Sequence, residues 1–532
     1  MIISVTLIKK ISETKTMKKK IIFSIAAAVL IAAVGTGFFI PLNPSESPNE
    51  PAEGIKPFSS SSKIGCNYYR IPAMITAKDG TIVASIDARY GGTHDSPNDI
   101  DIAVSYSTDN AQTWSEPTLA LSFDEWQHQK NILKPTGSLF NKKSSSTIDT
   151  SLLLDNETGR IFMLVDAFPP ESGAIFSETG NGYTEIDGEK YLMLRKKGEK
   201  DYNYTVRESG IIYNSKGEKT EYSINSRFEL FKDSEPMTVR QKKLGYWYYL
   251  PYGIPTNKKV PMNIMYGNAL FQPMKTSYLY LMYSDDNGKT WSDPIDLNKQ
   301  VKPNDAGFMG VCPGRGIQIS KGDNAGRLLF TTYFIEPETG AQKFTAIYSD
   351  DHGATWNMGN PIALDETIGD MSETQLTQMP DGSLMSFSRS TKGNVTSSYS
   401  SDGGITWGKP QVETEIPLSE GGCMVSAINY SGKIDGKDAV LLSAPAGNSR
   451  KNGFIYVGLI EETGNAEKPY TVNWTYKKEI TAPETYFAYS CLTQLPNGKI
   501  AILYEEANTS QTIDTVVLKS YSIEELCKTK MK

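Results

Sequence analysis

The chain has 532 residues, a formal net charge of -7 and 22% charged residues, so no general basic surface is available to nucleic acid or an anionic membrane, and an anionic ligand has to meet a local cluster of cations. Only three histidines occur, His94, His128 and His352, and the five cysteines, Cys66, Cys312, Cys423, Cys491 and Cys527, show no C-x-x-C pairing. Such a set gives zinc sites, disulfide frameworks and Ser-His-Asp chemistry little to work with, and buried free thiols are expected.

The first strong local signal is Met17 followed by Lys18, Lys19 and Lys20 and an apolar run from Ile21 to Ile40. This is the layout of an export segment, and about 20 apolar residues can span a bilayer. Residues 17–40 are therefore expected to be a signal peptide or an N-terminal membrane anchor, with both readings open, and the protein is expected to be secreted or held at the outer face of the cell membrane. Residues 41–56, rich in Pro, Ser, Asn and Glu, read as a linker.

From Lys56 onward short β-rich runs alternate with Gly, Asn and Asp turns, and no helical period appears before Ser522–Lys528, so the class is all-β. Four segments repeat the octet S-x-D-x-G-x-T-W: Ser107 to Trp114, Ser284 to Trp291, Ser349 to Trp356 and Ser400 to Trp407, with Ala111 replacing the glycine in the first. In such a turn the Asp accepts hydrogen bonds from turn amides, the Gly takes a positive φ and the Trp packs beneath. These octets resemble the Asp boxes of the sialidase superfamily, where they close the outer hairpins of propeller blades. That resemblance implies a six-bladed β-propeller, and a stabilising rather than chemical role for the octets.

Tight turns recur at Asp79-Gly80, Thr158-Gly159, Asp381-Gly382 and Asn497-Gly498, and nine or ten residues before each Gly stand Arg70, Asp149, Glu373 and Tyr489. Each thus opens the first strand of a hairpin. First strands line the channel of a propeller, so these four side chains are expected to converge at one end. The interval from Trp114 to Trp291 is more than twice either later interval, which points to an insertion. The expected division is a propeller over residues 57–179 and 276–522, a small inserted β subdomain over 180–275 and a tail over 523–532. The patch Tyr246-Trp247-Tyr248-Tyr249 within the insert reads either as a sugar-stacking surface or as core packing.

Further motifs narrow the resemblance. Tyr69-Arg70-Ile71-Pro72 is similar to the Y/F-R-I-P signature of sialidases; Ser85-Ile86-Asp87-Ala88-Arg89 with Asp95, the Pro313–Gln318 run and Phe487-Ala488-Tyr489-Ser490 resemble the bacterial exo-α-sialidase branch that carries an inserted β domain. What the family implies is specific. Sialic acid carries a carboxylate on its anomeric carbon, which planar guanidinium groups can hold, and Arg70, Arg389 and Arg450 match the family's triad. An anionic nucleophile would be repelled by that carboxylate, whereas a neutral phenol is not, and sialidases are the known exception that uses Tyr. Tyr489 matches the nucleophile, with Tyr486 a competing assignment, and Glu373 its base. Asp95, with Asp99 and Asp101 as alternatives nearby, matches the general acid/base. Arg89 and Asp149 are expected to contact the sugar, Glu505 to orient Arg70, and Ile148, Phe168 and Gln318 to line the acetamido pocket, with core packing an equally open reading for Phe168.

The resemblance therefore implies hydrolysis of terminal sialic acid with retention, acting on sialylated glycoproteins, glycolipids or oligosaccharides, as a monomer and with no metal or cofactor. Two other readings stay open: an intramolecular trans-sialidase or eliminating variant, and a non-catalytic sialoglycan-binding propeller.

Overall fold

The computed structural model describes residues 54–66, 68–90, 92–128, 144–243, 254–336, 338–365, 367–419, 421–446, 449–507 and 515–531. The expected export segment, most of the linker and the Tyr246–Tyr249 patch lie outside the described residues. What is described belongs to one compact unit.

Short runs of β-branched, aromatic and small residues, buried along nearly their whole length because each sheet is packed on both faces, produce six successive antiparallel meanders. Blade 1 is Tyr68–Thr76, Ile82–Arg89, Ile100–Ser107 and Thr118–Leu121. Blade 2 is Ser146–Leu154, Ile161–Phe168, Tyr278–Ser284 and Ile295–Asp296. Blade 3 is Phe308–Val311, Leu328–Ile335, Gln342–Ser349 and Asn357–Met358. Blade 4 is Thr374–Gln378, Leu384–Ser388, Asn394–Ser400 and Gln411–Pro417, and blade 5 is Ser426–Asn429, Ala439–Pro445, Gly453–Asn465 and Lys468–Glu479. Blade 6 is Tyr486–Gln494, Ile500–Ala507 and Thr515–Tyr521, and Ile55 completes it by exchanging backbone hydrogen bonds of 3.2 and 2.8 Å with Leu518. Successive blades pack side by side around the ring and the inner strand of blade 6 returns against that of blade 1, so the sheets close into a six-bladed propeller whose inner strands face a central channel.

The octets explain how neighbouring blades are joined. Asp286 accepts from the Thr290 amide at 2.8 Å and its hydroxyl at 2.6 Å, and Asp109, Asp351 and Asp402 repeat this pattern with Thr113, Thr355 and Thr406. The turn glycine then lies flat on the preceding blade. At Gly353, with φ +83°, an added Cβ would sit 2.3 Å from Phe162 of blade 2. In the first octet Ala111 adopts φ 64° and packs among Leu495 and Ala501 of blade 6. Close approach to the neighbour, rather than the turn alone, is what demands a small residue here.

Between the second and third strands of blade 2 the chain leaves the ring. It builds an eight-stranded sheet from Tyr183–Ile186 to Phe271–Pro273 and a separate hairpin of Thr238–Lys243 with Ile254–Pro261. Leu194, Ile212, Leu230 and Phe271 of this insert share a buried cluster with Tyr278 and Tyr280 of blade 2, so the insert is continuous with the blade's core. The five cysteines are free thiols, four of them buried.

Candidate active site

At one end of the ring, here called the mouth, the first strands begin and the second strands finish. Three first strands are distorted there: Ile71 and Pro72 face Ile86 alone, Asp149 and Thr150 face Val165, and Ala488 and Tyr489 face Glu505. Such bulges re-aim side chains and increase local twist. Ile71 and Asp149 take φ values of 59° and 62°, rare for non-glycine residues and a strain sustained only by the surrounding packing.

Tyr489, delivered by the blade 6 bulge, is 6% exposed and donates its phenol hydrogen to Glu373 Oε1 at 2.6 Å. Glu373 stands just before the first strand of blade 4, and backbone bonds pair it with Arg389, which directly follows the second strand. This cross-strand pairing puts Arg389 Nη1 2.8 Å from Glu373 Oε2 and 3.2 Å from the Tyr489 hydroxyl. Arg70 and Arg450 reach in from blades 1 and 5, with their guanidinium carbons 5.6 and 5.5 Å from the centre of the Tyr489 ring. The three guanidiniums therefore surround one phenol. Burial and the Glu373 carboxylate push the Tyr489 phenol well above its usual pKa, with Arg389 and Arg450 partly opposing them. The hydroxyl is thus neutral at rest and already bonded to the group that can take its proton.

Each arginine is held from behind. Arg70 donates to both carboxylate oxygens of fully buried Glu505, at 3.1 and 3.4 Å, and Glu505 also accepts from the Ile71 amide at 2.8 Å. Arg389 donates to the Gly421 carbonyl at 3.2 and 2.9 Å, and Arg450 to the Gly422 carbonyl at 3.4 Å. Gly422 has φ +68°, and a Cβ there would meet Ser390 O at 2.6 Å and Arg389 Cγ at 2.8 Å, so only glycine lets this turn hold both arginines.

Asp95 lies in the loop after the second strand of blade 1, with its side chain 66% exposed and its carboxylate 3.6 Å from Arg70 and 2.7 Å from Arg89. Partial desolvation raises its pKa, but Arg89 and Arg70 outweigh that and hold the carboxyl below its ordinary value. Asp99 and Asp101 instead point into the protein. Asp99 accepts from Ser144, and Asp101 accepts from Ser122 and the Phe123 amide. Tyr486 is packed at the edge of the same apolar cluster as Tyr489, without the Glu373 contact.

Three expectations need correction or refinement. Gln318 is not at the mouth: it bonds to Asp155, Asn156 and Gly326 and pairs with Leu328, at the end where the first strands finish. The Pro313–Gln318 run carries it down the channel, too far to line a pocket beside Tyr489. Arg89 is fully buried and spent: Nε and Nη2 bind Asp87, and Nη1 binds Thr93 O and Asp95. It positions Asp95 rather than reaching a ligand. Ile148 and Phe168, 4% and 2% exposed, belong to the apolar cluster that contains Tyr489, with Phe168 stacked on Phe308 at 6.2 Å; they back the pit.

Asp149 does enter the site. Its amide donates to Asp87 at 3.1 Å, while its own Oδ1 is buried with no partner. Burial, then the charge of Asp87, raises its pKa well above the ordinary carboxylate value, which favours the protonated form of Asp149. Asp87 was not singled out from sequence. Its signal was its place in the Ser85–Arg89 motif, as an acidic residue in a mostly apolar strand two residues before Arg89.

A family model described as a BNR repeat-like domain matches residues 257–502. The chain is 40% identical over 474 residues to the anhydrosialidase of Macrobdella decora, covering 86% of this chain and 61% of that one. It is 35% identical over 462 residues to sialidase B of Streptococcus pneumoniae, covering 84% and 63%, so it spans less than two thirds of the length of these two relatives. Among solved structures, the intramolecular trans-sialidase of Ruminococcus gnavus superposes with a TM-score of 0.82 at 39% identity, over 88% of this chain and 97% of that one. With the same fold and 39% identity across nearly the full length of that structure, the chain belongs to the sialidase family.

Proposed function

We propose that this chain cleaves terminal sialic acid from glycans through a tyrosyl-enzyme intermediate. The observation that carries the reading is the 2.6 Å hydrogen bond from Tyr489 to Glu373 inside a ring of three guanidiniums. Arg70, Arg389 and Arg450 bind the substrate carboxylate and so place the anomeric carbon over the phenol. Glu373 takes the phenol proton as Tyr489 attacks, and the oxocarbenium-like charge develops beside a nucleophile that began neutral.

Asp95 gives its proton to the leaving oxygen. In the empty site Arg70 and Arg89 keep Asp95 ionised; a substrate carboxylate on Arg70 offsets that cation and raises the Asp95 pKa toward what an acid needs. In the second half-reaction the same carboxylate activates the attacking hydroxyl group, and the bond to Tyr489 breaks with net retention.

That attacking group is water in a hydrolase and one of the sugar's own hydroxyls in an intramolecular transfer. The similarity to an anhydrosialidase and to an intramolecular trans-sialidase favours the second reading over simple hydrolysis. Digestion of a sialyl-lactose followed by NMR of the released sugar separates them: a bicyclic anhydro sugar supports transfer, free sialic acid supports hydrolysis, and no release by the wild-type chain removes both.

A further inference from the structure

The far end of the central channel holds a charge that no described residue neutralises. Pro313-Gly314-Arg315-Gly316 carries the backbone of blade 3 across the axis, where Gly314 and Arg315 pair in parallel with Ser151 and Leu152 of blade 2. Gly316 is pressed against its neighbours, since a Cβ there would lie 2.3 Å from Leu329 O. Arg315 is thereby fixed with its side chain in a cavity of about 310 Å³ to which all six blades contribute, through residues such as Thr76, Asn156, Gln378, Asn429 and Gln494.

No Asp or Glu lines this cavity, and Arg315 forms no ion pair among the described residues. Its side chain makes one long bond, Nη1 to Leu492 O at 3.5 Å, while Nε is buried with no partner. Burial without a carboxylate even depresses the Arg315 pKa, the reverse of Arg70 and Arg389 at the mouth. An uncompensated guanidinium in a low-dielectric channel is costly, and its planar fork matches an oxyanion.

We propose that this far end is a second anion site, in which Arg315 binds a small oxyanion of the sulfate or phosphate type within a rim of neutral amides and hydroxyls. The site has a structural consequence. Arg315 contacts the strands that carry Asp149, Glu373 and Tyr489, through Ser151 and Leu152, through the bond of its amide to Gln375 at 3.3 Å and through Leu492. An anion on Arg315 therefore ties together the inner strands of blades 2, 3, 4 and 6 from below.

The test uses the full chain, with chloride exchanged for sulfate at constant ionic strength. Wild type is expected to gain a saturable rise in Tm of a few degrees, and Arg315→Gln to lose most of it. Arg450→Gln, which weakens anion binding at the mouth, should keep the Arg315-dependent part. Crystals of the wild-type chain soaked in selenate should show an anomalous peak at hydrogen-bonding distance from the Arg315 guanidinium, a readout that does not require the variant to fold. An equal sulfate response in wild type and Arg315→Gln, or selenate confined to Arg70, Arg389 and Arg450, would mean that the far end holds water alone and would overturn the proposal.

Discussion

The two ends of the central channel are built by the same six inner strands, yet they treat cations in opposite ways. At the mouth, Arg70 and Arg389 each face a buried carboxylate, Glu505 or Glu373, and bulges turn the side chains toward a common point. At the far end the strands run in regular register and Arg315 meets only neutral groups. The contrast teaches that a buried arginine is not in itself a ligand-binding device. Where a carboxylate stands behind it, the guanidinium is held in place with its outer face free. Where none does, the guanidinium needs a partner from solution.

Removing the phenol breaks the mouth most completely. Tyr489→Phe is expected to lower kcat for release of a fluorescent aglycone from its sialoside by about 10³-fold or more, with a much smaller change in KM, because the carboxylate-binding arginines remain. Arg389→Lys tests whether the fork geometry matters as well as the charge. Lysine cannot bridge Glu373, the phenol and a substrate carboxylate together, so kcat/KM should fall by roughly 10²-fold in steady-state assays.

Effects on stability are smaller and sharpen the comparison between the chemical residues and the octets. Gly353→Ala places a methyl group 2.3 Å from Phe162 at φ +83°, and should cost about 1–3 kcal/mol in denaturant unfolding while leaving activity per folded molecule unchanged. Asp149 gives the smallest effect, visible in the pH profile. Its pKa is raised in the folded state, so its contribution is fully present below the unfolded value and is lost as pH rises through the folded one. Wild-type Tm should therefore decline as pH rises from the unfolded carboxylate value toward the folded one, and Asp149→Asn should flatten that decline. A profile identical in the two proteins would show that folding does not raise the Asp149 pKa.

Much of the architecture was legible because it rests on local chemistry. The octets encode a turn in which one Asp satisfies the Thr four residues on, and the Gly of each hairpin fixes an offset that brought Arg70, Asp149, Glu373 and Tyr489 to the same end of the ring. What sequence spacing could not reveal is who stands behind whom. The Gly421-Gly422 turn and the Asp149–Asp87 contact join segments remote in sequence, and nothing local marks that turn as the support of Arg389 and Arg450. Gln318 was misplaced for a related reason. A run with two glycines crosses the channel axis, so distance along the chain ceases to measure distance from the mouth.

The most direct measurement is covalent trapping of the nucleophile. Incubation of the wild-type chain with a fluorinated sialyl fluoride, followed by intact-mass analysis and peptide mapping, should give one added sialyl group on the peptide containing Tyr489 and none in Tyr489→Phe. An adduct on another residue, or turnover by Tyr489→Phe at the wild-type rate, would contradict the assignment of Tyr489 and Glu373 as the reacting pair.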